Sequence, residues 1–359
     1  MMKSENFTNT YKHTSTYLDR AEMYAALESF IKTTKFFKCD DYTLCYHLDN
    51  DKKNNQQIVI ENIECHKKKD ILLKIPEEID GIPVKTINAD AFKGCVELKS
   101  VEFGKNIEFI QREAFSGCLN LNDVIFNEGL KFIGSSAFSY TKLEGTVKFP
   151  DSLRRISSNA FSYSGIKDIN LNSTLTEIGS NAFCHCDNIQ KFTIPDSVKQ
   201  IDFCILGYCN SLKSIFVGKD TSLNCNPALG CEKLSSYIVH PENKRHKSIN
   251  GILYDYNVKS LLIYPCGKED KVFYIPRSVS YIENNAFALN TPLNAVHVKQ
   301  DSITGFFTSG LLSGKIKIYC RSNTDIQKLC NKYKVPTGSE ESKIDTFLKN
   351  NCEYNSHTK

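Results

Sequence analysis

"AFKGC", Ala91–Cys95, returns along the chain as "AFSGC" at Ala114–Cys118, "AFSYT" at Ala137–Thr141, "AFSYS" at Ala160–Ser164 and "AFCHC" at Ala182–Cys186. The phenylalanines Phe92, Phe115, Phe138, Phe161 and Phe183 are spaced by 23, 23, 23 and 22 residues. The slot continues as Leu206 in "CILGYC", as Ala228 in "PALGC" and, after a break, as Phe287 in "NNAFALN". A fixed period of this length marks a solenoid of stacked coils, because one such unit cannot bury its apolar face alone.

The remainder of each unit repeats as well. Leu98, Val101 and Phe103 have counterparts in Leu121, Val124, Phe126; Ile166, Ile169, Leu171; Ile189, Phe192, Ile194; Leu212, Ile215, Val217; Leu234, Tyr237, Val239; and Leu293, Val296, Val298. In the third copy, "LEGTVKFP", one extra residue moves the slots to Val147 and Phe149. Apolar–x–apolar spacing predicts a short strand with one buried face. A turn follows, such as "PDS" at Pro150–Ser152 and Pro195–Ser197, then a second apolar pair (Ile107/Ile110, Leu130/Ile133, Leu153/Ile156, Leu175/Ile178, Val198/Ile201, Val279/Ile282). The first strands are expected to form one parallel sheet. At about 4.8 Å per strand, eight coils give a sheet roughly 35–40 Å long. The general leucine-rich-repeat pattern L-x-x-L-x-L-x-x-N lacks its asparagine here.

The consensus L-x-x-V-x-I-P-x-S-V-x-x-I-x-x-x-A-F-x-G-C resembles the BspA-like leucine-rich repeats of bacterial and protist surface proteins. "IPEEIDGIPVKTINADAF", Ile75–Phe92, is similar to the opening of such arrays. "INGILYDYNVKSLLIYPCGK", Ile249–Lys268, is similar to the hairpin that interrupts many of them. The resemblance implies a leucine-rich-repeat fold, protein binding, and attachment to extracellular-matrix proteins.

The expected fold class is an α/β repeat solenoid, mostly strand and coil, with a parallel sheet on one face. The expected division is a cap over 1–70, about eight coils over 71–320 with a hairpin insertion near 241–268, and a closing helix with a polar tail over 321–359. In the cap, "STYLDRAEMYAALESFIKTTK" from Ser15 predicts a helix with Tyr17, Ala21, Tyr24, Leu27 and Ile31 on one side. The strands "YTLCYHL" and "QQIVIENI" follow. At the other end "KIKIYC", Lys315–Cys320, reads as a last strand, "NTDIQKLCNKYK" as a short helix, and "SEESKIDTFLKNN" as a marginal one.

Composition narrows the function. With 359 residues, 41% hydrophobic and 24% charged, the chain can build its own core. A net charge of +4 with mixed signs argues against nucleic acid or an anionic membrane as partner. There is no apolar run of the roughly 18 residues that span a bilayer, and no apolar core of a secretory signal in the first 20 residues. The sequence therefore predicts a cytoplasmic protein, while the resemblance implies the cell surface. Fifteen cysteines, an odd number, are expected as free thiols, although neighbouring coils would place pairs such as Cys95 and Cys118 within bridging reach.

No G-x-S-x-G, P-loop, G-x-G-x-x-G, H-E-x-x-H or EF-hand loop is present. No enzyme activity and no cofactor are expected. The alternative chemistry is a zinc site from Cys184, Cys186, Cys204 and Cys209, with His185 beside them. The repeat opposes it. Cys186 and Cys209 share a slot with Cys95, Cys118 and Cys231, and with Thr141 and Ser164, so the slot selects a small, weakly polar side chain.

Outward positions of the first strands are Glu102, Ile125, Lys148, Asn170, Thr193, Phe216, Ile238 and His297, flanked by Asp123, Asp168, Lys191, Ser214 and His240. Phe216 and Ile238 are large, apolar and on adjacent rungs, so they are the candidate binding patch, with His240, Thr193, Lys191 and Asn170 around them. The competing reading has the 249–265 hairpin folding back over the pair. A monomer that binds a protein ligand is expected, with an intracellular scaffold as the alternative to an adhesin.

Overall fold

The computed structural model describes residues 33–283, 286–287, 292–299, 303, 316–322, 324–332 and 336–338. The predicted N-terminal helix and the marginal helix in the tail lie outside the described residues. Two compact units divide the chain between Cys186 and Asp187.

In the first unit the repeat is realised coil by coil. Phe92, Phe115, Phe138, Phe161 and Phe183 are fully buried and stack face to face, with centroids 4.7, 5.1, 5.3 and 5.5 Å apart. A second file, Phe103, Phe126 and Phe149, meets them edge-on at 5.5–5.7 Å. Offset-stacked and edge-to-face pairs are the two favoured aromatic geometries, so each ring adds specific contact energy to its burial. The backbone is knitted at the same place. The amides of Phe92, Phe115, Phe138 and Phe161 donate to the carbonyls of Ala114, Ala137, Ala160 and Ala182 at 2.7–2.8 Å. Alanine lets these turns approach.

The sheets differ from the expectation in one respect. The longer ladder lies on the second segments. Antiparallel strands Lys35–Lys38, Tyr42–Asn50 and Gln56–Cys65 lead into parallel strands Ile82–Ile87, Phe109–Ile110, Phe132–Ile133, Arg155–Ile156 and Glu177–Ile178. The first strands split into a three-stranded sheet (Ile71–Lys74, Leu98–Glu102, Asp123–Ile125) and a pair (Gly145–Lys148, Ile166–Asn170). The cause is the irregular third copy. Its register with the next strand shifts between Gly145 and Thr146, and Gly145 has a φ of +103°. Val147 and Phe149 are buried there, as their spacing predicts.

The second unit holds a three-stranded parallel sheet (Lys191–Ile194, Ser214–Val217, Ser236–Val239), an antiparallel insertion (His246–Ile249, Ile252–Asp255, Ser260–Ile263), and a further parallel sheet of Val272–Tyr274, Ala295–His297, Lys317–Tyr319 and Thr337–Gly338. The insertion rejoins the repeat because Ser260–Ile263 pairs in parallel with Tyr281–Ile282. The short helix Asp325–Lys332 buries Ile326 and Cys330, and Thr324 Oγ1 caps it by accepting the Gln327 amide at 3.3 Å. It is the one complete helix among the described residues. The α/β label is therefore corrected to a β-solenoid of stacked coils.

The asparagine missing from the general pattern has substitutes. The side-chain amide of Asn127 donates to the carbonyls of Lys105 and Ile107, both at 2.9 Å, one coil back. Asn172 and Asn243 do the same toward Pro150 and Leu153 and toward Gly218 and Thr221. Each ties its own turn to the carbonyls of the turn one coil back.

Candidate functional site

The side chains that leave the coils form the candidate binding surface. In the second unit Thr193, Phe216 and Ile238 occupy equivalent places on three neighbouring strands, as do Lys191 and Ser214. Pleating buries Phe192, Ile194, Ile215, Val217 and Tyr237 on the other side. Phe216 is half-buried and Ile238 is 49% exposed. His240, just past its strand, presents its ring at 84° to Phe216 with centroids 6.3 Å apart. The His240 amide donates to Val217 O at 2.9 Å, and His240 Nδ1 accepts the Glu242 amide at 3.1 Å. Five of the six candidate residues are thus gathered within the second unit; Asn170 belongs to the first, where it ends a strand pair.

The insertion does not take the place feared for it. Its turn docks on the edge of Ser236–Val239, where Gly251 O accepts the Tyr237 amide at 2.9 Å and Ser248 Oγ donates to Tyr237 O at 2.6 Å. Only glycine fits at 251. Its φ is +79°, and a Cβ would stand 2.9 Å from Ser235 O. The hairpin covers a strand edge that would otherwise be open to pairing. Ile238 keeps its exposure.

Beyond the strand ends lies an open groove of about 700 Å³ lined by Lys199, Lys219, Asp220, Glu242, Lys244 and Arg245. Lys199 pairs with Asp220 at 2.7 Å and Lys219 with Glu242 at 2.5 Å. Hydrogen bonds from these lysines hold the Asp220 and Glu242 carboxyls below their usual range. Four basic and two acidic side chains leave the rim positive. An apolar centre beside a charged rim is the usual anatomy of a protein-binding patch.

The thiols follow the small-residue slot. Cys118, Cys186 and Cys231 are fully buried, and their Sγ atoms donate to the carbonyls of Phe92 at 3.0 Å, Phe161 at 3.1 Å and Leu206 at 2.9 Å, one coil back. Thr141 Oγ1 donates to Phe138 O at 2.8 Å. The slot wants a short donor, and cysteine, threonine and serine qualify. Of the alternative zinc set, Cys184 and Cys186 fall in the first unit, and Cys204 and Cys209 in the second.

The group that sequence reasoning missed is elsewhere. Cys65, Cys95 and Glu97 are the one set among the described residues whose ligand atoms all lie within 4.8 Å of one another. Cys65 Sγ is 3.3 Å from Cys95 Sγ, which is 3.4 Å from Glu97 Oε2. Cys95 donates to Glu97, and the hydrogen bond between the two sulfurs holds the Cys65 thiol below its ordinary pKa. Cys65 lies 30 residues away outside the repeat period, so no spacing signalled the pairing. The expected neighbour, Cys118, turns instead to Phe92 O.

The sequence profile of the BspA type leucine rich repeat region matches residues 85–213 and 133–248, in six copies. Among solved structures the chain is similar to a leucine-rich repeat protein from Bacteroides ovatus ATCC 8483, at 20% identity and a TM-score of 0.60, over 79% of this chain and 70% of that one. It is also similar to the pneumococcal vaccine antigen PcpA, at 20% identity and a TM-score of 0.52, over 79% of this chain and 66% of that one. At these identities the likeness is one of fold. No curated protein sequence matches the chain.

Proposed function

With residues 85–248 belonging to the BspA type leucine rich repeat family, we propose that this chain is a non-catalytic protein-binding module that works in adhesion. Its ligand surface is the outward face of Lys191–Ile194, Ser214–Val217 and Ser236–Val239. The observation that carries this is the exposure of Ile238 beside Phe216 on adjacent rungs, where the rest of the sheet turns its apolar side chains inward. Exposed apolar pairs with an aromatic anchor are what binding hot spots are made of. His240 and Thr193 flank the anchor, Lys191 begins the outer strand, and the basic groove steers an acidic partner toward it.

The test is binding of the full-length chain to a panel of immobilised extracellular-matrix proteins. Phe216→Asp/Ile238→Asp should weaken the interaction at least tenfold, in line with the roughly 2 kcal/mol or more lost at a hot spot. Lys148→Glu, on the other unit, should leave it unchanged. Equal binding by the double variant would sink the patch. Absence of binding to every matrix protein would sink the adhesive role.

A further inference from the structure

In the later coils the thiol that ends the repeated turn is occupied: Cys118, Cys186 and Cys231 each donate to a carbonyl one coil back. Cys95 belongs to the first of these turns, so no earlier turn of the kind offers it a carbonyl. What stands there is the end of the Gln56–Cys65 strand of the antiparallel cap. Its last side chain, Cys65, brings a second sulfur to 3.3 Å, and Glu97, two residues beyond Cys95, brings a carboxylate oxygen to 3.4 Å. All three are partly buried.

We propose that Cys65, Cys95 and Glu97 form a zinc site that fastens the cap to the first coil. Two sulfurs and one carboxylate suit a borderline-soft divalent cation, and water fills the fourth position. With bonds of about 2.3 Å to sulfur and about 2.0 Å to oxygen, a tetrahedral ion needs ligand separations of about 3.8 and about 3.5 Å. The observed 3.3 and 3.4 Å lie within about half an ångström of that, a displacement that side-chain rotation supplies. Binding displaces the thiol protons, so both sulfurs enter as thiolates. Because the ligands come from the cap and from the first coil, the ion stabilises their contact and not either alone. The site is independent of the ligand patch on the second unit.

The probe is Zn²⁺ alone, titrated against a competing chromophoric chelator into the reduced, metal-free, full-length protein. Wild type and Cys184→Ser/Cys186→Ser should bind one zinc ion with equal affinity. Glu97→Gln should weaken binding about tenfold, and Cys65→Ser/Cys95→Ser at least a hundredfold. Zinc should raise the thermal midpoint of wild type and leave that of the Cys65→Ser/Cys95→Ser variant unmoved. If that variant does not fold, Glu97→Gln alone decides: unchanged affinity overturns the proposal. Undiminished zinc binding by the double variant overturns it as well. So does a Cys65–Cys95 disulfide in peptide maps of protein alkylated at the first step of purification.

Discussion

At the scale of single residues the repeat is a division of labour within five positions. The phenylalanine fills the coil, the alanine permits contact between turns, and the last residue returns a hydrogen bond. Phe138 shows the load each ring carries. It stacks on Phe115 and Phe161 at 5.1 and 5.3 Å and receives Phe126 edge-on at 5.6 Å, with no exposure. Truncation removes the ring from three partners at once and leaves a cavity that paired coils cannot close. Phe138→Ala should cost about 3–5 kcal/mol in a denaturant titration, and a loss below about 1 kcal/mol would contradict the role given to the ring. The neighbouring slot is more forgiving. Thr141 and Ser164 already stand where Cys118 and Cys186 do. Cysteine is common here because the site asks for a small buried donor, which is why most of the thiols have no chemistry to perform.

At the scale of elements, periodicity made the coils legible because each slot repeats the same physical demand. The strands Tyr42–Asn50, Gln56–Cys65 and Lys317–Tyr319 and the helix Asp325–Lys332 were also readable from local pattern. What periodicity could not show was pairing between segments that do not repeat. The meeting of Cys65 with Cys95 and the docking of the Gly251 turn on Ser236–Val239 depend on how unlike pieces fold back. The break in the first-strand sheet was half visible, as an extra residue in "LEGTVKFP", but its consequence for register was not. The start of the insertion carries a prediction of its own. His246 opens the strand His246–Ile249, is buried, and accepts the Leu223 amide at Nε2 at 2.8 Å, while Nδ1 has no hydrogen-bond partner among the described residues. Burial, aided by the Arg245 charge, lowers its pKa from 6.5 to about 4. An unfolded chain would take up a proton near pH 6.5 that the folded chain refuses until about pH 4. Stability contributed by this residue is therefore complete above pH 6.5 and is lost as the pH falls toward 4, by up to about 3 kcal/mol. His246→Gln should flatten the acid limb of a stability-against-pH profile. A limb unchanged by that substitution would assign the acid loss to other groups.

At the scale of the whole molecule, stacking commits the repeated positions to the interior and leaves selection for a partner to the outward ones. Among the described residues those positions are mixed in character: Glu102, Lys148, Asn170 and Thr193 are polar and exposed, Ile125 is an exposed apolar rung in the first unit, and Phe216 and Ile238 put two large apolar side chains on adjacent rungs. His297 lies stacked between Tyr274 and Tyr319, with both centroid distances 4.6 Å, so that rung is occupied by its neighbours. A formal charge of +4 spread over both signs leaves contact shape to decide affinity, while the local positive charge of the groove acts on the rate of encounter. The face around Phe216 and Ile238 is the surface proposed to meet the ligand. Hydrogen–deuterium exchange of the full-length chain, with and without a matrix protein that binds it, measures this directly. New protection should concentrate in Lys191–Ile194, Ser214–Val217, Ser236–Val239 and the 240–245 turn. Protection confined to other segments, with these strands unchanged, would contradict that proposal.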